Sequence, residues 1–134
     1  MKIVVIDGQG GSIGKEVVLR VRAELPDAEI IAIGTNAMAT ENMLKAKPTQ
    51  AATGENPVVV NAADADVIIG PIGIAIADSM FGEITARMSF AIAKSRAKRF
   101  LIPINQCSNI VVGVSDLTIR SLLDSLTKEL KQLV

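Results

Sequence analysis

Near the amino terminus an acid meets a run of glycines, Asp7-Gly8-Gln9-Gly10-Gly11-Ser12-Ile13-Gly14. Glycine tolerates positive φ and lets a ligand come close to the backbone. A turn that opens a helix also presents N–H groups with no partner inside the helix. Together these features offer a phosphoryl group a cradle of amides at the positive end of a helix dipole. Gly8, Gln9, Gly10, Gly11 and Ser12 are the residues expected there. Asp7 has two uses. Its carboxylate could serve a ligand, as a nucleophile, a Mg²⁺ ligand or an acceptor for a ribose hydroxyl. It could also brace the turn by accepting the turn's own N–H groups.

Strands alternating with helices must position that turn. Lys2 to Ile6 reads as a buried strand, and a helix follows from about Gly11 to Leu25. Its inner stripe is Ile13, Val17, Val18, Val21 and Leu25, and its outer face is Lys15, Glu16, Arg20 and Glu24. Glu29 to Ile33 is a second strand, and Ala37 to Lys45 a helix. Pro48 to Thr53 is a connector with room for a short strand. Pro57 to Ala63 is ambiguous: Val58-Val59-Val60 favours strand, whereas its place between connector and strand favours helix. Ala65 to Ile69 is a buried strand, Glu83 to Lys94 a helix with Ile84, Met88 and Ile92 inward, and Arg99 to Ile104 a strand. Ile110 to Val114 suggests a further edge strand. Ser115-Asp116 should cap a last helix with the stripe Ile119, Leu122, Leu123, Leu126, Leu130 and Leu133. The alternation predicts a three-layer, Rossmann-like α/β domain spanning 1–134, with a mostly parallel sheet of four to six strands.

In such sheets ligands bind beyond the carboxyl ends of the strands. Small or polar residues follow each expected exit: the first turn, Gly34-Thr35-Asn36, Thr53 to Asn56, Gly70-Pro71-Ile72-Gly73 and Asn105 to Cys107. Thr35 and Asn36 would flank a sugar, and Gly70, Pro71 and Gly73 would let the ligand approach the next strand. The competing reading is that loops are rich in Gly and Asn anyway.

The glycine spacing resembles the dinucleotide-binding fingerprint G-x-G-x-x-G, with Gly8 and Gly10 in place and the third glycine one residue late at Gly14. The acid usually found about twenty residues on is absent, so NAD is not supported, and no cation stands there for NADP. A nucleotide or dinucleotide is left as the class, with its identity open. A P-loop fails because Gln9 replaces its first glycine and Glu16 its hydroxyl. Asp7 sits where haloacid-dehalogenase-like phosphatases put their nucleophile, but Gln9 replaces their second acid. Glu83 should be stabilised by the dipole of the helix it starts. Glu55 could reach the crevice or cap a helix. Cys107 has no neighbour that would lower its pKa and reads as a small hydrophobe.

Composition removes other classes. The 134 residues are 49% hydrophobic, with 14 Lys and Arg against 14 Asp and Glu, so no basic surplus points to nucleic acid or an anionic membrane. Only Phe81, Phe90 and Phe100 are aromatic, too few for a base-stacking platform. Without histidine or tyrosine, Ser-His-Asp systems and tyrosine-dependent hydride chemistry have no residues to use. No metal site is expected. One cysteine suggests a reducing compartment. The apolar run Val67 to Ala77 is too short to span a bilayer. A cytoplasmic location is therefore expected.

In order, Val5-Ile6-Asp7-Gly8-Gln9-Gly10-Gly11, Gly34-Thr35-Asn36-Ala37, Ala52-Thr53-Gly54-Glu55-Asn56, Gly70-Pro71-Ile72-Gly73 and Gly82-Glu83-Ile84-Thr85 resemble a small bacterial family catalogued only as a domain of unknown function. The resemblance implies a bacterial, cytoplasmic, one-domain protein and transfers no activity. Three functional expectations follow from the residues. The first is binding of a nucleotide or phosphorylated small molecule at the glycine turn. The second is an Asp7-dependent enzyme, with or without Mg²⁺, acting on a phosphate or carbonyl. The third is a structural or regulatory homo-oligomer without a ligand. Ala-rich apolar helices make a homo-oligomer the expected assembly.

Overall fold

The structure is a computed structural model that describes residues 1–104, 108–115 and 118–134. Five strands form one sheet: β1 (Lys2–Asp7), β2 (Glu29–Gly34), β3 (Gln50–Thr53), β4 (Val67–Pro71) and β5 (Lys98–Ile102). Their spatial order is β3-β2-β1-β4-β5, and every pairing is parallel. The helices are α1 (Ser12–Glu24), α2 (Ala37–Leu44), α3 (Glu55–Ala62), α4 (Ala86–Lys94) and α5 (Ile119–Lys131), with a 3₁₀ turn at Ile72–Ala75.

Strand periodicity divides the core. Ile3 and Val5 pack with Val17, Val18, Val21, Met43, Leu126 and Leu130 on the face covered by α1, α2 and α5. Val4 and Ile6 point the other way, onto Val58, Ala62, Met88 and Ile92 of α3 and α4. Two apolar faces explain why the strands read as unbroken hydrophobic runs. The register sets Asp7 beside Gly34 and Gly34 beside Thr53, so the polar exits of β1, β2 and β3 share one edge. The order in which strands are added reverses between β1 and β4, opening the crevice where ligands of such sheets bind.

Most expected elements are present, and the differences have physical causes. The ambiguous segment is helical. Pro57 falls in the first turn of α3, where its missing N–H is harmless, and Val58 and Ala62 turn one face inward. Residues 110–114 form no strand; Val112 is 93% exposed, and β-branched residues need a neighbouring strand to pack on. Helix α4 starts at Ala86, capped by the Thr85 hydroxyl, so Glu83 lies outside it. Thr118, not Ser115, caps α5, and Ile119 is half exposed rather than inward. Asp116 of the expected cap lies outside the described residues. No helix among the described residues is long and apolar enough to cross a membrane.

Candidate functional site

The turn between β1 and α1 is shaped by its glycines. Gly11, the residue before α1, has φ +73°, and a Cβ there would lie 2.6 Å from the Ala39 backbone. Its N–H closes the turn on the Gly8 carbonyl at 3.0 Å. Gly14 is needed for a different reason. A Cβ on it would meet Met43 Sδ at 2.5 Å and Asp7 Cβ at 2.8 Å, so this late glycine lets α1 press against β1 and α2.

Asp7 is 4% exposed. Its Oδ1 accepts the Gly8 N–H at 2.8 Å and its Oδ2 the Gly14 N–H at 2.7 Å, so both oxygens are engaged with the turn. Burial pushes the Asp7 carboxyl above the ordinary carboxylate range. The two amides oppose that rise, and the negative charge of Glu83 adds to it.

Four amides of the turn are spent internally: Gly8 and Gly14 on Asp7, Gly11 on Gly8, and Gln9 on the Glu83 carboxylate at 3.0 Å. The N–H groups of Gly10, Ser12 and Ile13 have no hydrogen-bond partner among the described residues. These three residues line a cavity of about 100 Å³ with Asp7, Gly8, Gln9 and Gly11 on the near side. Pro71, Gly73, Ser79, Met80 and Ile104 close the far side. Asp7 is the one ionisable residue of this lining among the described residues. An anion here would be met by the backbone dipoles of the turn, with no cationic side chain among the described lining residues.

Not every expected site residue reaches the cavity. Gly70 is buried beneath it, where a Cβ would run into the Ile6 carbonyl and Ile74. Thr35 and Asn36 stand to one side at the exit of β2. Glu83, expected at the start of a helix, meets them there. Its Oε1 accepts from Thr35 Oγ1 at 2.6 Å, Asn36 Nδ2 at 2.6 Å and the Gln9 N–H. Partial burial pushes its carboxyl up, but these donors outweigh it and hold the group below its ordinary value. An acid therefore does stand at the end of β2, supplied by the segment after β4 rather than by β2 itself. Glu55 does not reach the cavity. It begins α3, accepts from the Thr85 hydroxyl at 2.7 Å and pairs with Arg87 at 3.5 Å. Asn105 and Cys107 lie outside the described residues. Among those described, no group of three or more Cys, Asp and Glu is gathered to hold a metal ion.

Local spacing could not reveal Glu83, which is 74 residues from Gln9 and 48 from Thr35. The one local sign was Gly82-Glu83-Ile84-Thr85, where a glycine and a capping threonine bracket the acid. Ser79, Met80, Ile13 and Ile104 also join the cavity without a sequence signal.

Among solved structures, the chain is similar to the dodecameric FMN-dependent UbiX-like decarboxylase from Escherichia coli O157:H7. The match has a TM-score of 0.50 at 16% identity and covers 96% of this chain and 75% of that one. At that identity the likeness is one of fold. No curated protein matches the sequence. Over residues 2–134 the sequence matches the family described as Domain of unknown function (DUF3842), and the chain belongs to that family.

Proposed function

We propose that the β1–α1 turn binds the phosphoryl group of a nucleotide or other phosphorylated small molecule. One observation carries the reading: the N–H groups of Gly10, Ser12 and Ile13, without a partner among the described residues, border one cavity at the start of a 13-residue helix. Asp7 serves this reading as the brace that holds the turn open. Ligand pockets commonly measure about 300–1,000 Å³. The cavity of about 100 Å³ therefore suits one phosphoryl group, with the rest of the ligand along the sheet edge. The name of the fold neighbour includes FMN, a phosphorylated ligand of this class.

A thermal-shift panel of FMN, NAD, NADP, ATP, GTP, S-adenosylmethionine and sugar phosphates tests the proposal. A ligand at about a hundred times its Kd stabilises by about 2.7 kcal/mol, a rise of several degrees. Gly10→Val is the discriminating variant. Gly10 lines the cavity, yet a Cβ there meets nothing within 4 Å, so the variant folds while crowding the entrance. Loss of the shift in this variant supports the proposal. An unchanged shift refutes the site, and no shift with any compound refutes the phosphate reading.

Self-association belongs to the same proposal. Val60 and Phe90 are exposed on the α3 and α4 surface. A solution mass equal to the 14.1 kDa monomer at working concentration would refute it.

A further inference from the structure

We propose that residues 76–85 form a latched flap, in which the Glu83 carboxylate occupies a cradle meant for a second anionic group of the ligand. The inference rests on the reading of this strand edge as a phosphoryl site and deepens it. The ligand it implies carries two anionic groups, one phosphoryl at the open amides and a second at the cradle, as in a nucleoside diphosphate or a dinucleotide.

The cradle consists only of donors. The Gln9 N–H comes from the first turn, and Thr35 Oγ1 and Asn36 Nδ2 from the exit of β2. All three converge on the single oxygen Oε1. Glu83 Oε2 has no partner among the described residues. Thr35 and Asn36 are themselves held in place. The Thr35 N–H donates to the Asp7 carbonyl at 3.0 Å, and Asn36 Oδ1 caps α2 through the Ala39 N–H at 2.9 Å. The donors are thus fixed by the scaffold, and the acceptor arrives from a separate segment. A phosphoryl oxygen has the charge and lone pairs to take the same three bonds.

The acceptor's segment crosses the edge to get there. It leaves β4, passes over the exit of β1 and reaches the exit of β2. On the way Met80 Sδ lies 2.7 Å from where a Gly8 Cβ would be, and Met80 lines the cavity. The segment thus roofs the crevice at the switch point and keeps the cavity too small for more than one phosphoryl group. A larger ligand needs the roof to move.

The flap also has the backbone of a device held under constraint. Asp78, Met80 and Phe81 have φ of 64°, 56° and 56°, a left-handed region disfavoured for side chains with a Cβ. Phe81 is 98% exposed, so apolar burial does not compensate. Backbone strain of this kind clusters at clamps and switch segments. The ends are firm: Ile84 is buried, the Asp78 N–H donates to the Ile84 carbonyl at 2.7 Å, and the Ser79 hydroxyl donates to the Gly73 and Ile76 carbonyls. Opening consists of releasing Glu83 and swinging the part between those ends. It also removes one carboxylate from the path of the incoming anion.

Glu83→Ala and calorimetric titration with inorganic pyrophosphate, ADP and orthophosphate test the inference. A site open about a tenth of the time has its affinity reduced about tenfold, so unlatching should tighten pyrophosphate and ADP by roughly that factor. Orthophosphate, which needs only the open amides, should change much less. A merely structural role cannot give this result, because damage to the fold weakens binding. Glu83→Gln keeps the shape and removes the charge; it should show a smaller gain and stands in if the alanine variant does not fold. Hydrogen exchange should rise at the Gly82 and Glu83 amides, which bond the Asp78 and Met80 carbonyls within the moving part, when pyrophosphate binds the unaltered protein. Equal affinities for the variant and the unaltered protein overturn the latch and leave the phosphoryl site standing. A weaker variant with an intact melting transition also overturns it, since Glu83 would then contact the ligand. Absence of binding to both proteins overturns the latch and the phosphoryl reading together.

Discussion

Asp7→Asn separates the bracing role of this side chain from any other. The native carboxylate accepts two amides, Gly8 at 2.8 Å and Gly14 at 2.7 Å, one on each oxygen. Asparagine keeps one acceptor and turns the other into an NH₂ group, which then faces an N–H at hydrogen-bond distance. One buried donor loses its partner, at a cost of about 1–3 kcal/mol, and the surviving bond loses its charge assistance. Against this, asparagine avoids the burial of a charge that raises the Asp7 pKa. The donor mismatch acts at contact distance and should prevail, leaving a net loss of about 1–3 kcal/mol. Urea unfolding measures it: with a slope near 1.5 kcal/mol/M, a loss of about 2 kcal/mol moves the midpoint by roughly 1.3 M. The pH dependence gives a second check. Between the unfolded value near 3.8 and its raised folded value, the native protein holds a proton that the unfolded chain has released. The Asp7 contribution is therefore full below 3.8 and declines as pH rises through the folded pKa. The gap between the unaltered protein and the variant should be widest in acid and narrow across that window. A variant as stable as the unaltered protein at neutral pH would refute the bracing argument, and a gap that widens as pH rises would refute the dominance of burial over the two amides.

Gly14→Ala should destabilise by about 1–2 kcal/mol in urea, although alanine in a helix gains nearly 1 kcal/mol over glycine. The new methyl group meets Asp7 Cβ, which two amides hold in place, as well as the more yielding Met43, so a stabilised variant would contradict the packing. Phe81→Asn should raise the melting temperature slightly, by the equivalent of about 0.5 kcal/mol. Asparagine tolerates a φ of 56° better than phenylalanine, and the ring is 98% exposed. A lower melting temperature would mean that the ring has a packing role.

The core was legible in the sequence because its information is local. A strand buried on both faces, such as Val4-Val5-Ile6, announces itself by composition, and α1 and α5 by helical repeats. In two segments strand propensity pointed the wrong way for a common reason. Val58-Val59-Val60 and Val111-Val112 share β-branched residues, but that propensity reflects a half-buried pleated surface. Val58 instead found a helical place one turn from Ala62, and Val112 found no strand to lie beside.

The site was less legible because its chemistry is assembled across the sheet. Local reading found the glycine turn, Asp7, Thr35 and Asn36, since each follows a strand whose end could be located. It placed no acid at the exit of β2, because the nucleotide-binding pattern seeks that acid on β2 itself. A parallel sheet imposes no such restriction. All five strands point the same way, so every loop at their carboxyl ends meets on one edge, and a loop from β4 can supply what β2 lacks. The segment after β4 crosses one strand and delivers Glu83 to Gln9, Thr35 and Asn36. Chain separation is then a poor guide to chemical adjacency. The useful guide is strand order, in which β4 and β2 are separated only by β1. That order follows from the doubly wound topology but not from the spacing of any motif, so it separates the part of the site a sequence displays from the part only the fold completes.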